Sequence, residues 1–553
     1  MKTSVGALLI LLLAGCSAQS TAPEHTHAAA QPAAENPPPL YGDLGDWHHA
    51  ISCDGAGAQA YFDQGLRLIY AFNHDEAVRA FAEAARRDPT CAMAYWGEAL
   101  ALGPNINLPL DPERAATAYA ALREAQRLAP QANAEEQAYI AALAKRYGAD
   151  PDADRVALDR AYADAMGALA AAYPDDPDAS VLYAEALMDL HPWDLWTLDG
   201  QPRVETPVIL ATLEGVMAKT PNHPGANHYY IHAVEASPHP ERALASAERL
   251  HGLVPGAGHL VHMPAHIYMR TGRYAEASDA NARAAAVDEA YIAAQHPEGV
   301  YPMMYYPHNL HFFWASATME GRSAEAIRAA QAVAAHVSPE MAHEMPMVEY
   351  YMPTPYFALV RFGRWQEMLA EPAPPADLQY DTAMWHYGRG IAEAATGRYP
   401  DATADLAAIK ALADQIPADR IVGDNQRAGA LLHLASLSLG GEIAARQGDC
   451  ETAIGKLEES VSVQDGLPYM EPPPWYMPQR QALGATLLGC GRAYAAEQLF
   501  REDLRRNPNN GWSLLGLAQS LRAEGDQKGA AQAEAQFRAA WQRADVQPAM
   551  AKF

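Results

Sequence analysis

Apolar residues along this chain return at helical spacing rather than in strand-like alternation. Between residues 58 and 91, Tyr61, Gly65, Ala77, Phe81 and Ala84 mark two apolar faces separated by a short polar turn, and Pro89 closes the second. Small residues at Gly65 and Ala77 let two antiparallel helices approach, and Phe81 fills the gap to the next pair. The same punctuation recurs at Gly272-Arg273-Tyr274 before Ala277, Gly321-Arg322 before Ala326, Gly363-Arg364-Trp365, and Gly397-Arg398-Tyr399 before Ala402. It continues at Gly448-Asp449 before Ala453, Gly491-Arg492 before Ala496 and Gly525-Asp526 before Ala530. Weaker hairpins fit 111–130, 133–174 and 207–221. Val and Ile runs of strand length are scarce, so the pattern predicts an all-α chain whose core comes from helix faces.

The spacing Tyr61, Gly65, Ala77, Phe81, Ala84, Pro89 resembles a tetratricopeptide repeat (TPR), and the likeness extends over about residues 59–541. The resemblance implies a TPR-like right-handed superhelical solenoid of roughly ten helical hairpins with loop insertions, each hairpin touching mainly its neighbours. It also implies a concave groove that recognises a peptide or protein. The phrases FNHDEAVRAF (72–81) and CAMAYWG (91–97) are similar to those of exported bacterial TPR lipoproteins, a likeness that brings no established reaction. Four insertions interrupt the period, at 103–110, 191–200, 295–307 and 468–478. They are too apolar and aromatic for solvated linkers; they either cap gaps in the solenoid or fold into the groove and narrow it.

The first residues run apolar from Gly6 to Leu13 and reach Leu13-Ala14-Gly15-Cys16, too short a stretch to span a bilayer. Residues 1–16 read as a signal peptide whose end resembles a lipobox, with Cys16 as the lipidated residue. Residues 17–45 read as a disordered Ala/Pro-rich tether, 46–545 as the solenoid and 546–553 as a tail. The expected location is export, with a lipid anchor in the outer membrane facing the periplasm and membrane contact through that anchor only. In an oxidising compartment the remaining cysteines offer two disulfides, Cys53 with Cys91 and Cys450 with Cys490, each joining nearby hairpins; free thiols are the alternative. A formal net charge of −27 over 553 residues argues against nucleic acid as a partner, because phosphate neutralisation needs a basic face.

The chemistry concentrates in 225–320. His228, His232 and Glu235 stand four and three residues apart, on one face of a helix. In repeat register His262 follows His228 and His266 follows His232, while His311 aligns with His228 and His262, and His308 with His259. In TPR arrays such places face the groove. The expected metal ligands are therefore His228, His232, His262, His266 and His311, with His259, His308, Tyr229 and Asn309 lining the groove beside them. Imidazoles with a carboxylate suit Zn²⁺, Cu²⁺ or Fe²⁺. Tyr229 follows the first His, so this is not an HExxH metalloprotease motif. Pro264 requires the helix carrying His266 to kink or to start near Met263. The functional expectation is a lipid-anchored periplasmic TPR protein whose His-rich groove holds a divalent transition metal and binds or transforms a small ligand or peptide. If it is an enzyme, metal-assisted attack of water or activation of a small ligand is the reaction class, with Glu235 as ligand or general base. The alternative is a metal-free scaffold for protein–protein interaction or envelope assembly.

Overall fold

The computed structural model describes residues 37–150 and 153–551. The expected signal peptide, the lipidation site Cys16 and most of the tether lie outside the described residues, as do 552–553 of the expected tail. From Pro38 onward the chain is one all-α solenoid of TPR-like hairpins. Two dipeptide strands, Ile421–Val422 and Gln426–Arg427, pair in a loop.

The first hairpin shows how the sequence builds the unit. Helix α1 (Ala58–Tyr70) and helix α2 (His74–Arg87) bury their apolar faces against each other. Phe81 is the wedge: a Cβ on Gly65 would meet its ring at 2.7 Å and one on Gly97, in the following helix, at 2.3 Å. Three helices meet closely because two of them present no side chain there. Disulfides join Cys53 to Cys91 and Cys450 to Cys490, with Cα atoms 5.1 and 6.0 Å apart.

The site region follows in five helices: α3 (Pro224–Glu235), α4 (Gly258–His262), α5 (Pro264–Arg270), α6 (Tyr274–Gln295) and α7 (Tyr306–Glu320). Pro264 divides α4 from α5, and Met263 between them keeps helical dihedrals at φ −50°, ψ −37°. The chain therefore kinks without leaving the helical path, and His262 ends one segment while His266 lies in the other.

Contacts are less local than a simple repeat array implies. The Tyr70 carbonyl at the end of α1 accepts a bond from His228 Nδ1 in α3 at 2.7 Å. Helix α8 (Gly511–Ala523) returns to α7, where Trp512 Nε1 donates to the Thr318 carbonyl at 3.0 Å. Asp545 accepts from the Ser323 and Ala324 amides at 2.7 and 2.9 Å, capping the next helix. Both flanking segments are built into the fold. Residues 38–45, expected in the tether, are tied down: Leu44 is buried, Tyr61 donates to the Pro38 carbonyl, and Tyr41 N donates to Gln64. The expected tail is held where Trp541 and Gln519 donate to the Val546 and Ala549 carbonyls, and Ala551 is buried.

Candidate functional site

Six histidines from α3, α4, α5 and α7 form two adjoining triads, His228 with His232 and His259, and His262 with His266 and His308. Within each, one ligand atom per ring lies within 4.8 Å of the others. The triads touch: the ring centroids of His232 and His266 are 5.6 Å apart, and those of His259 and His262 5.8 Å. Five of the six are no more than 5% exposed, and His308 is half-buried.

Partners behind the rings determine where the protons sit. His262 Nδ1 faces Asn281 Oδ1 at 2.6 Å, and the Asn281 amide nitrogen is already donating to the Ala277 carbonyl. His266 Nδ1 faces one oxygen of Glu235 at 2.6 Å, and His232 Nδ1 faces the other at 2.7 Å. Carbonyl and carboxylate oxygens only accept, so each of these Nδ1 atoms carries the hydrogen, and whichever of these rings is neutral turns a bare Nε2 lone pair the other way. His262 Nε2 and His266 Nε2 then face each other at 2.8 Å. Two neutral rings in that arrangement repel; a cation relieves it. In the first triad, His228 donates to Tyr70, which leaves its Nε2 as acceptor 3.1 Å from His259 Nε2, while His232 Nε2 has no partner among the described residues.

Electrostatics oppose a proton on five of the six rings. Burial, reinforced by neighbouring imidazoles, holds His228, His259, His262 and His308 well below the ordinary histidine range. His232 is lowered by burial too, against the pull of Glu235. Burial alone would raise the Glu235 carboxyl, but His266 and His232 outweigh it and keep Glu235 ionised. Apolar rings complete the surround: Phe72 packs on His228, His259 and His232 at 4.6, 5.4 and 5.9 Å, and Phe312 on His266 and His262 at 4.6 and 4.8 Å.

The triads open on a cavity of about 540 Å³, reached by His232, His259, His266 and His308. All four insertions fold inward to wall it, through Leu110, Trp193, Tyr305 and Glu471 among others. The turn entering α7 is a π-helix, Tyr301–Tyr305, that places Tyr305 on this wall.

Several sequence-predicted residues sit elsewhere. His311 is not with the other ligands; it stacks on Trp314 at 4.9 Å beside Tyr351, and burial lowers it to about 3. Its place is taken by His308, and His259 rather than His262 meets His228. Both had been assigned only to the lining. Glu235 is fully buried behind the rings, its oxygens taken by His232, His266 and the Tyr469 hydroxyl at 3.1 Å, so it orients imidazoles and has no free edge for ligation or base chemistry. Tyr229 faces α1, packing on Tyr70 and Phe72, and Asn309 donates to Asp288 at 2.6 Å; neither reaches the cavity. Sequence reasoning missed Phe72, and it placed Trp193, Tyr469 and Glu471 only within insertions expected either to cap gaps or to enter the groove. Phe72 carried a signal: it stands five residues before Ala77, where Gly272 stands before Ala277.

No family model and no curated protein matches the chain. Among solved structures, a human IFIT1 dimer with PPP-AAAA is 12% identical, covering 88% of this chain and 95% of its own at a TM-score of 0.32. The APC/C hetero-tetramer Cut9-Hcn1 is 13% identical over 90% of this chain and 76% of its own, at 0.29. Yeast Tom70 is 12% identical over 89% and 93%, at 0.25. Superpositions this loose carry no argument about ligand or role, and the fold class rests on the chain's own hairpins.

Proposed function

We propose that this chain is an exported, lipid-anchored metalloprotein in which two buried three-histidine sets hold divalent transition-metal ions, zinc, copper or iron, at the wall of a cavity for a small ligand. The observation that carries the reading is the pair of Nε2 atoms of His262 and His266 facing each other at 2.8 Å, each ring with its Nδ1 hydrogen committed to Asn281 or Glu235. Imidazoles oriented from behind by a carboxylate or amide, with no thiolate among them, suit these ions, and three protein ligands leave room for a ligand atom. An ion there would supply Lewis acidity toward a ligand in the cavity. The cysteine pairs support export, and the Leu-Ala-Gly-Cys16 stretch supports the anchor. A metal-free peptide scaffold fits less well, because His228 and His262 lie behind the cavity wall, where no peptide side chain reaches.

The test is metal quantification on the full chain exported to an oxidising compartment, for the wild type and for His232→Ala/His266→Ala. The wild type is expected to retain up to two ions per chain and the variant to lose them at unchanged helical content. Substoichiometric metal in the wild type, with no uptake of added Zn²⁺, Cu²⁺ or Fe²⁺, would sink the reading.

A further inference from the structure

Beside the histidine cavity lies a second, larger one of about 850 Å³. The two share a wall: Pro192, Trp193, Asn425, Tyr469, Met470 and Glu471 line both. Trp193 is central to it. Its ring meets His232 edge-on at 5.3 Å, and its backbone holds φ at 60°, in the left-handed region that a bulky residue seldom occupies. Strain of that kind persists where the surroundings over-determine a residue, and it concentrates at ligand sites.

The larger cavity is lined by rings and prolines, with Trp193, Trp196, Trp314, Trp475 and Tyr469 among them. Its cationic groups are already engaged. Arg203 pairs with Asp194 at 2.7 Å, Arg480 with Asp465 at 2.5 Å, and Arg270 donates to the Glu235 carbonyl at 3.0 Å while lying over the Tyr469 ring. An anionic ligand body would find no free counter-charge there, whereas a flat one without negative charge finds aromatic faces. The volume suits a drug-sized molecule.

Resting on the metal reading for its polar end only, we infer that the larger cavity is a ligand compartment for a ring-bearing organic body without negative charge. The ligand is elongated. Its body lies among the tryptophans, and its electron-donating end passes the Trp193–Tyr469 wall to the histidines.

The body is tested first, without metal. The full chain is chelated and titrated with the neutral dye N-phenyl-1-naphthylamine, following energy transfer from tryptophan. Saturable binding is expected. It should weaken at least tenfold in Trp193→Ala and severalfold in Leu198→Glu, whose parent side chain lines this cavity, is 70% exposed and so is not needed for folding. No saturable binding, or binding that ignores both substitutions while melting is unchanged, overturns the compartment.

The second arm uses a phenylalkyl hydroxamic acid, an uncharged ring-bearing body with a metal-binding head. It should displace the dye at least tenfold more strongly from metal-loaded than from chelated protein. Displacement without metal dependence, from protein shown to hold metal, overturns the elongated ligand. Dye binding by a chain that takes up no metal leaves the compartment standing and the metal reading fallen.

Discussion

Two buried histidine clusters stand within a few residues of each other in this fold, and they solve the problem of buried imidazoles in opposite ways. In the first, His49 and His223 surround Asp178, which lies with Asp176 within ligand distance of His49. Asp178 accepts from His49 at 2.8 Å, Trp47 at 3.0 Å, His223 at 3.1 Å and the Tyr70 hydroxyl. Burial would lower His49, but the Asp178 bond and charge outweigh it and raise it to about 9. Carboxylates there match the charge of a protonated ring, and the proton serves as the cation. In the second cluster six rings share one carboxylate, Glu235, and burial holds His228, His232, His259, His262 and His308 below the ordinary histidine range. The ratio of carboxylates to imidazoles, not the number of histidines, separates a structural network from the proposed metal site. Tyr70 joins the two, its hydroxyl to Asp178 and its carbonyl to His228.

The largest break in this comparison is Asp178→Ala. It strands a charged His49 and three further donors in the interior, and removing one partner of such a buried set costs about 3–5 kcal/mol. Denaturant unfolding of the chelated chain should show that loss, while the variant purified without chelator keeps the wild-type metal content. A loss below about 1 kcal/mol would mean the network does not hold residues 38–57 to the solenoid.

Titration separates His49 of the first cluster from His311, a ring buried outside both, by sign. His49, raised from 6.5 to about 9, contributes stability that is complete below pH 6.5 and is lost as pH rises through about 9. At about 1.4 kcal/mol per unit that amounts to on the order of 3 kcal/mol, and His49→Gln should remove this slope. His311, lowered by burial to about 3, behaves oppositely: the unfolded chain binds the proton first, so stability is lost as pH falls below 6.5. By pH 5 that is about 2 kcal/mol, which His311→Gln should abolish. Thermal melts of chelated wild type and both variants from pH 5 to 10 read both slopes, and parallel curves for all three would contradict the assignment of charge.

What the sequence disclosed follows from how local each constraint is. Turn glycines such as Gly272 and Gly321, with φ of 74°, and the wedge at Phe81 are short-range features, so the hairpins were legible. The face shared by His228, His232 and Glu235 was legible for the same reason. Which rings meet across hairpins was not. A one-period register equates His228 with His262, but equivalent places on successive hairpins lie side by side along a groove instead of pointing at one spot. The kink at Pro264 and the π-turn before α7 then bring His259 and His308 inward and leave His311 on Trp314. The His49–Asp178 bond spans 129 residues and Tyr469–Glu235 spans 234, distances at which no pattern signals a partner.

Phe72 offers the smallest and sharpest test, because a rule broken locally there serves the site. At φ 55° it occupies the turn position that glycine fills in the later hairpins, and its ring caps the first triad. Truncating a buried Phe costs about 3–5 kcal/mol, whichever small residue replaces it. Alanine keeps the left-handed penalty of about 1–2 kcal/mol, whereas glycine does not. Glycine, however, loses up to about 1 kcal/mol more backbone entropy on folding. The balance leaves Phe72→Gly above Phe72→Ala by several tenths to about 1 kcal/mol, the reverse of the usual order. Both variants remove the same ring and should weaken metal retention equally. An alanine variant as stable as the glycine one would show that the turn relaxes once the ring is gone, and that the ring over the histidines is what holds Phe72 in the left-handed region.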